Sequence, residues 1–249
     1  MSGHSKWATI KHKKGAADKA RGKVFAKLSR QLEVATKDGG GDPTTNAALR
    51  TIVLKAKASQ MTKDAIDRAI KRGMGADDGK VYESITYEAY APGGVAMLID
   101  VLTDNRNRTA ADVRIIFSKL GGAMAEPGAV GWQFSRKGVL QVVREVSEDA
   151  LMSLALENGA EDITDDQDSW RVVCDSHFVY DLKATLDAAG MTVASAVSTM
   201  VSSLTVPVTN LKDAKAVLHI LDELEENDDV QDVYANFDIP ADILAEAAQ

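Results

Sequence analysis

Cysteine is almost missing from this chain of 249 residues: Cys174 stands alone. That excludes an intramolecular disulfide and a cysteine-built metal cage, and a reducing cytoplasm is the expected setting. With 5 prolines and 18 glycines, the chain has little material for long disordered linkers. No apolar run approaches the roughly 20 residues that span a bilayer, and the opening residues lack the apolar core of a signal peptide. Ser2 stands where myristoylation requires glycine, so no membrane partner is expected. Acid is missing at the start as well. Within the first 30 residues only Asp18 opposes Lys6, Lys11, Lys13, Lys14, Lys19, Arg21, Lys23, Lys27 and Arg30.

Charge is accordingly split. The first 72 residues hold 17 Lys/Arg against 6 Asp/Glu, a net +11, and the remaining 177 hold 12 against 31, a net −19. The overall −8 hides this segregation. One end of the folded chain must attract polyanions while the rest repels them, which points to oriented nucleic-acid binding. Mere solvation would not require such one-sidedness. Trp7 lies within the basic arm, where its ring can stack on an exposed base or anchor the arm on the adjacent helices; both readings stand. His4 and His12 can donate to phosphate. Their spacing, without nearby cysteine, fits no usual metal site, so neither metal nor cofactor is expected.

Apolar residues at 45% and charged residues at 27% fit folded domains, and the length favours two or three of them. Phe25, Leu28, Leu32 and Ala35 share one helical face, which Gly39-Gly40-Gly41 ends. Asp42-Pro43 reads as the start of a second helix carrying Leu49, Ile52, Val53 and Ala56. Thr62 caps a third, with Ile66, Ala69 and Ile70 inward and Lys63, Arg68, Lys71 and Arg72 outward. Gly73 to Lys80 reads as a linker.

Strand-like patterning follows at Ser84–Tyr90 and Val95–Leu102, joined by the turn Pro92-Gly93-Gly94. Thr109 opens a helix with Val113, Ile116, Phe117 and Leu120 on one stripe. Val130, Trp132 and Phe134 alternate in a strand after it. Beyond Lys137 come a strand at Val139–Val143, a helix at Glu148–Asn158, a strand at Ser169–Asp175, a helix at Asp181–Ala189 and a strand near Ser195–Val201. After Pro207 a longer helix carries Ala214, Val217, Leu218 and Leu221, followed by a strand near Val230–Tyr234 and a ragged tail. That last helix and strand need a sheet to join, and the sheet begun at Ser84 is the expected one.

The expected fold class is α+β with three domains: a basic helical bundle with its arm at 1–78, and two small α/β (ferredoxin-like) sandwiches. One sandwich is discontinuous, 79–136 with 206–249, and the other, 137–205, is inserted in it. Several apparent motifs fail. Gly75 to Val81 has the wrong glycine spacing for a phosphate loop and lacks its hydroxyl. Asp165, Asp166 and Asp168 lack the spaced Gly and terminal Glu of a calcium loop. Cys174 sits in an apolar strand and is expected to pack. With no nucleophile, base and orienting group at recognisable spacing, no enzyme and no small-molecule substrate are expected.

Ordered motifs along nearly the whole chain resemble the YebC family: Gly3-His4-Ser5-Lys6-Trp7-Ala8, Lys11-His12-Lys13-Lys14, Arg21-Gly22-Lys23, Gly40-Gly41-Asp42-Pro43, Met61-Thr62-Lys63-Asp64, Ala91-Pro92-Gly93-Gly94 and Asp104-Asn105-Arg106-Asn107-Arg108-Thr109. Gly131-Trp132-Gln133-Phe134 and Asp228 to Tyr234 add to it. Gln60 and Ala129 depart from the family pattern, where Asn and Ser often stand. The resemblance implies a three-domain cytoplasmic bacterial protein described as a probable transcriptional regulatory protein that binds DNA. It also implies an alternative, because other members, including a mitochondrial translational activator, act on the ribosome and its RNA.

Two further segments bear on binding. At Asp104–Thr109, Arg106 and Arg108 either add a second contact surface at a helix start or pair with carboxylates while Asp104 or Thr109 caps the helix. The stretch Asp222–Asp229, six acids in eight residues, is expected to be mostly solvated surface; the alternative is that the acidic domains repel nucleic acid and so restrict docking to the basic end. Nucleic-acid contacts are thus expected from Lys6, Trp7, Lys11, His12, Lys13, Lys14, Lys19, Arg21, Lys23, Lys27, Arg30, Arg106 and Arg108. Oligomeric state is not legible.

Overall fold

The computed structural model describes residues 17–75, 81–166 and 169–247, with side chains from residue 21. Helix α1 (Ala17–Gly39), α2 (Ala47–Ala58) and α3 (Lys63–Gly75) form the expected bundle. Leu28, Leu32, Leu49, Ala56, Met61, Ile66 and Ala69 fill its core. Gly40, at φ +85°, ends α1 in a backbone conformation that L side chains avoid. The cap of α2 is Asn46, whose side chain accepts from Leu49 N at 3.0 Å and donates to Ala35 O and Gly40 O, each at 2.8 Å. Asp42-Pro43 does not open that helix. Asp42 closes a tight turn instead, accepting the Thr44 N–H at 2.9 Å, because Asn46 lies at the three-residue capping distance from Leu49. Gly73 lets α3 cross α1 closely: a Cβ there would meet Glu33 O at 2.6 Å.

Strands β1 (Glu83–Ala91) and β2 (Val95–Thr103) pair antiparallel in register from Glu83↔Thr103 to Ala91↔Val95, turning through Pro92–Gly94. Helix α4 (Arg106–Lys119) and the short strand β3 (Ala123–Ala125) follow. Val130–Phe134 does not alternate as one strand. Gly131–Gln133 is a single helical turn, and the next strand starts only at Phe134.

The chain divides into two compact units, one of them Trp132–Thr205. This unit contains β4 (Phe134–Val143), α5 (Glu148–Glu157), β5 (Ala160–Asp165), β6 (Ser169–Asp175), α6 (Val179–Ala188) and β7 (Val193–Ser202). Its sheet order is β5-β6-β4-β7 with every pair antiparallel, the split β-α-β arrangement of ferredoxin-like folds. Leu140, Leu151, Val172, Leu182 and Leu186 lie in its core beside Cys174, whose thiol burial pushes up and keeps protonated. Strand β5 escapes sequence reading because Glu161, Asp162 and Asp165 dominate its edge position.

The other unit resumes with β8 (Val206–Pro207), α7 (Leu211–Glu226), β9 (Val230–Ala235), β10 (Phe237–Asp238) and α8 (Ala241–Ala247). Strand β9 pairs antiparallel with β2, giving the order β3-β1-β2-β9 with element sequence ββαβαβ. Alternate residues Ala89, Val95, Met97, Ile99 and Val101 pack with Val113 and Phe117 of α4 and with Val217, Leu218 and Leu221 of α7. The tail is ordered rather than ragged through residue 247: Phe237 pairs beside Val206, and Phe237, Ile239 and Leu244 enter the core.

Candidate nucleic-acid interface

Of the residues expected to touch nucleic acid, Lys6, Trp7, Lys11, His12, Lys13 and Lys14 lie outside the described residues, as does the side chain of Lys19. The others can be placed, Arg21 as an exposed side chain on α1. Helix α1 presents Lys23, Lys27 and Arg30 on one side at spacings of four and three, and that side meets the acidic segment that ends α7 and leads to β9. Lys23 pairs with the Glu226 carboxylate and donates to Glu226 O at 3.1 Å. Lys27 Nζ donates to Glu225 O at 2.9 Å. Arg30 donates to Asp228 O at 3.1 Å and Asp229 Oδ1 at 3.0 Å, with its guanidinium 5.6 Å from the Tyr82 ring centroid. From α2, Lys55 reaches both Asp232 oxygens at 2.9 and 2.8 Å, and Gln31 of α1 donates to Gln231 Oε1 at 3.2 Å. Burial pushes the Lys27 ammonium down from its ordinary range, against the pull of Glu225 and Asp232.

The acidic segment is therefore more than solvated surface. It forms a row of acceptors along the basic side of the bundle, from residues roughly two hundred positions away in sequence. Asp229 anchors the row. Its Oδ2 accepts from Arg108 at 2.7 Å, Thr109 Oγ1 at 2.7 Å and Thr103 Oγ1 at 3.1 Å, while Arg30 takes Oδ1. Burial alone would raise this carboxyl; the hydrogen bonds from Arg108, Thr109 and Thr103 outweigh it and hold Asp229 below the usual carboxylate range. One buried acid thus ties α1, the end of β2, the start of α4 and the α7–β9 turn together.

Arg106 and Arg108 part company. Arg108 is held by Asp104 at 2.9 Å as well as by Asp229, so at this position the carboxylate pairing prevails. The cap of α4 is neither Asp104 nor Thr109 but Asn105, whose side chain accepts from Arg108 N at 3.1 Å. Arg106 opens instead on a cleft of about 350 Å³ with Arg114, Ile85, Tyr87 and Glu126. Sequence reasoning also missed Glu88. Its carboxylate accepts the N–H groups of Gly128 and Val130 at 2.6 Å and of Gly131 at 2.8 Å, fixing the loop before Trp132.

Lys57, Lys63, Arg68 and Lys71 are exposed and make no ion pair with another described residue. The outer side of α3 is nevertheless mixed, since Asp64 and Asp67 are exposed on it too. The cations Lys23, Lys27 and Arg30 of α1, by contrast, are met by the segment Glu225–Asp229. No helix of the described residues is long and apolar enough to cross a membrane.

These observations define an α+β protein whose basic helical bundle is ion-paired to an antiparallel sheet, with a ferredoxin-like unit interrupting the chain between them and the last strands. Profiles described as the TACO1/YebC protein N-terminal domain and the TACO1/YebC second and third domain match residues 5–76 and 82–237. The chain belongs to the TACO1/YebC family. It is 52% identical over 250 residues to a "Probable transcriptional regulatory protein" of Rubrobacter xylanophilus, covering 100% of both chains. It is 51% identical over 239 residues to one of Geotalea uraniireducens, covering 96% of each. A crystal structure of a conserved hypothetical protein from Aquifex aeolicus matches with a TM-score of 0.79 at 43% identity, covering 94% of this chain and 97% of that one.

Proposed function

We propose that this family member is a non-enzymatic cytoplasmic regulator that binds DNA through its basic N-terminal third. The segregation of charge, net +11 in the first 72 residues against −19 in the rest, carries the reading. The relatives' shared description as transcriptional regulatory proteins supports it. In this reading three domains divide the work. Residues 1–78 dock, led by the arm cations Lys6, Lys11, Lys13 and Lys14 and joined by Lys19, Arg21, Lys57 and Lys63. The sandwiches at 79–136 with 206–249 and at 137–205 orient them. Arg108 serves the Asp229 network instead of the ligand.

The test is competition at one physiological salt concentration. A labelled promoter fragment retained against excess random duplex supports regulation of transcription. Co-sedimentation with ribosomes, beside only weak sequence-blind duplex binding, would overturn the choice of DNA and move the docking surface onto ribosomal RNA.

A further inference from the structure

The bundle and the sheet keep separate cores and are joined by polar contacts. The bundle core, built on Leu28, Leu32, Leu49 and Ile66, shares no residue with the core built on Ile99, Phe117, Val217 and Leu221. A row of polar contacts crosses the border, with one arginine on a ring: Lys23, Lys27, Arg30, Gln31 and Lys55 on one side, Glu225, Glu226, Asp228, Asp229, Gln231, Asp232 and Tyr82 on the other. Two of the ion pairs are substantially open to water. The side chains of Lys23 and Glu226 are 28% and 61% exposed, and those of Lys55 and Asp232 are 46% and 35% exposed. Pairs of this kind are weak and yield to salt or to a competing anion.

The acceptors also have a particular form. Carboxylates and carbonyl oxygens from Glu225 to Asp232 present a row of negative oxygens to cations spaced along one side of α1, with Lys55 of α2 at the far end. A nucleic-acid backbone offers oxygens of the same charge to the same donors. We propose that the side of the bundle bearing Lys23, Lys27, Arg30 and Lys55 is a second phosphate-binding surface, which the segment Glu225–Asp232 covers in the free protein as an internal stand-in for a nucleic-acid backbone. The proposal rests on the nucleic-acid reading above and adds to it. The arm makes the first contact, and phosphates then replace the carboxylates on α1. The covering segment sets how much of the basic surface is open, and so discriminates against weakly bound polyanions.

The double variant E226Q/D232N tests this. It removes the carboxylates of the Lys23–Glu226 and Lys55–Asp232 pairs and leaves the buried Asp229 in place. Binding to a random 20-base-pair duplex and to a 20-nucleotide single-stranded RNA is measured by fluorescence anisotropy across a salt series. On duplex the variant should bind at least about threefold tighter than wild type at low salt. Its plot of log affinity against log salt should steepen, because the two cations no longer give up a salt-sensitive carboxylate pair when they meet phosphate. Adding K23A/K55A should abolish the gain. The variant E145Q/E157Q matches the change in net charge within the unit Trp132–Thr205 and should show none.

Wild-type affinity and slope in E226Q/D232N, with wild type binding normally, overturn the covering role and leave the nucleic-acid reading standing. An equal gain in E145Q/E157Q overturns it too, because a general field then accounts for the effect. Failure of every variant and of wild type to bind either polymer rejects the nucleic-acid reading, and this inference with it.

Discussion

Arg108 donates to the Asp229 carboxylate at 2.7 Å, joining the first turn of α4 to the residue that precedes β9. The same oxygen serves the buried hydroxyls of Thr103 and Thr109. Replacing Asp229 by Ala leaves these donors facing a void. The expected loss is about 2 kcal/mol of unfolding free energy, measured by urea titration. An unchanged midpoint would show that the network is not a structural hub.

Asp229 also makes stability depend on acid. Its folded-state pKa lies below its unfolded value because the hydrogen bonds outweigh burial. Such a group contributes stability that is fully present above the unfolded pKa, about 3.9, and is lost as pH falls through the folded pKa. The melting temperature of wild type should therefore drop more steeply below about pH 4 than that of D229N, which has no carboxyl to protonate there. Parallel acid limbs would contradict this assignment.

Arg106 and Arg108 should separate on substitution. R108A gives up contacts to Asp104 and Asp229 and should lower the melting temperature. R106A removes an exposed side chain on the cleft, for which no ion pair with a described residue is present, and should leave melting unchanged. Any loss of nucleic-acid affinity in R106A would then report contact, free of the stability effect that confounds R108A.

Gly73 is a further packing test. In G73A the new methyl would sit 2.6 Å from Glu33 O and 2.7 Å from Thr36 Cβ, so α1 and α3 must move apart. The expected cost is about 1–3 kcal/mol, read as a lower midpoint for the bundle. Wild-type stability would mean that the crossing relaxes freely.

The arm is addressed by neutralising Lys6, Lys11, Lys13 and Lys14 to Ala together. If all four meet duplex phosphates, the slope of log affinity against log salt should fall by about 3.6, at roughly 0.9 per contact. A preserved slope would place docking elsewhere on the chain.

Much of the fold was legible because its signals are local. Leu28, Leu32 and Ala35 announce α1, and Val95 to Leu102 announces a strand covered on both faces. The Pro92-Gly93-Gly94 turn needs positive φ, which Gly93 and Gly94 supply at 79° and 77°. What escaped depends on partners far along the chain. Asn46 rather than Asp42 caps α2 because its amide also finds carbonyls of α1. The charged strand Ala160–Asp165 shows no period of its own and forms against Ser169–Asp175. In the candidate interface, charge counting located the basic surface, yet no sequence pattern could show that Glu225 to Asp232 would lie against Lys23, Lys27, Arg30 and Lys55.

Strand β9 lies beside β2 although the residues that pair, such as Ile99 and Val233, are far apart in sequence. During synthesis at about 5–20 residues per second, the bundle and the interrupting unit can emerge and close while the sheet still lacks its edge partner. The middle of this protein is consequently the last part to be finished. A nascent chain that stops before Leu211 would lack both the strand that closes the β2 margin and the acidic residues that meet Lys23, Lys27 and Arg30 in the finished fold.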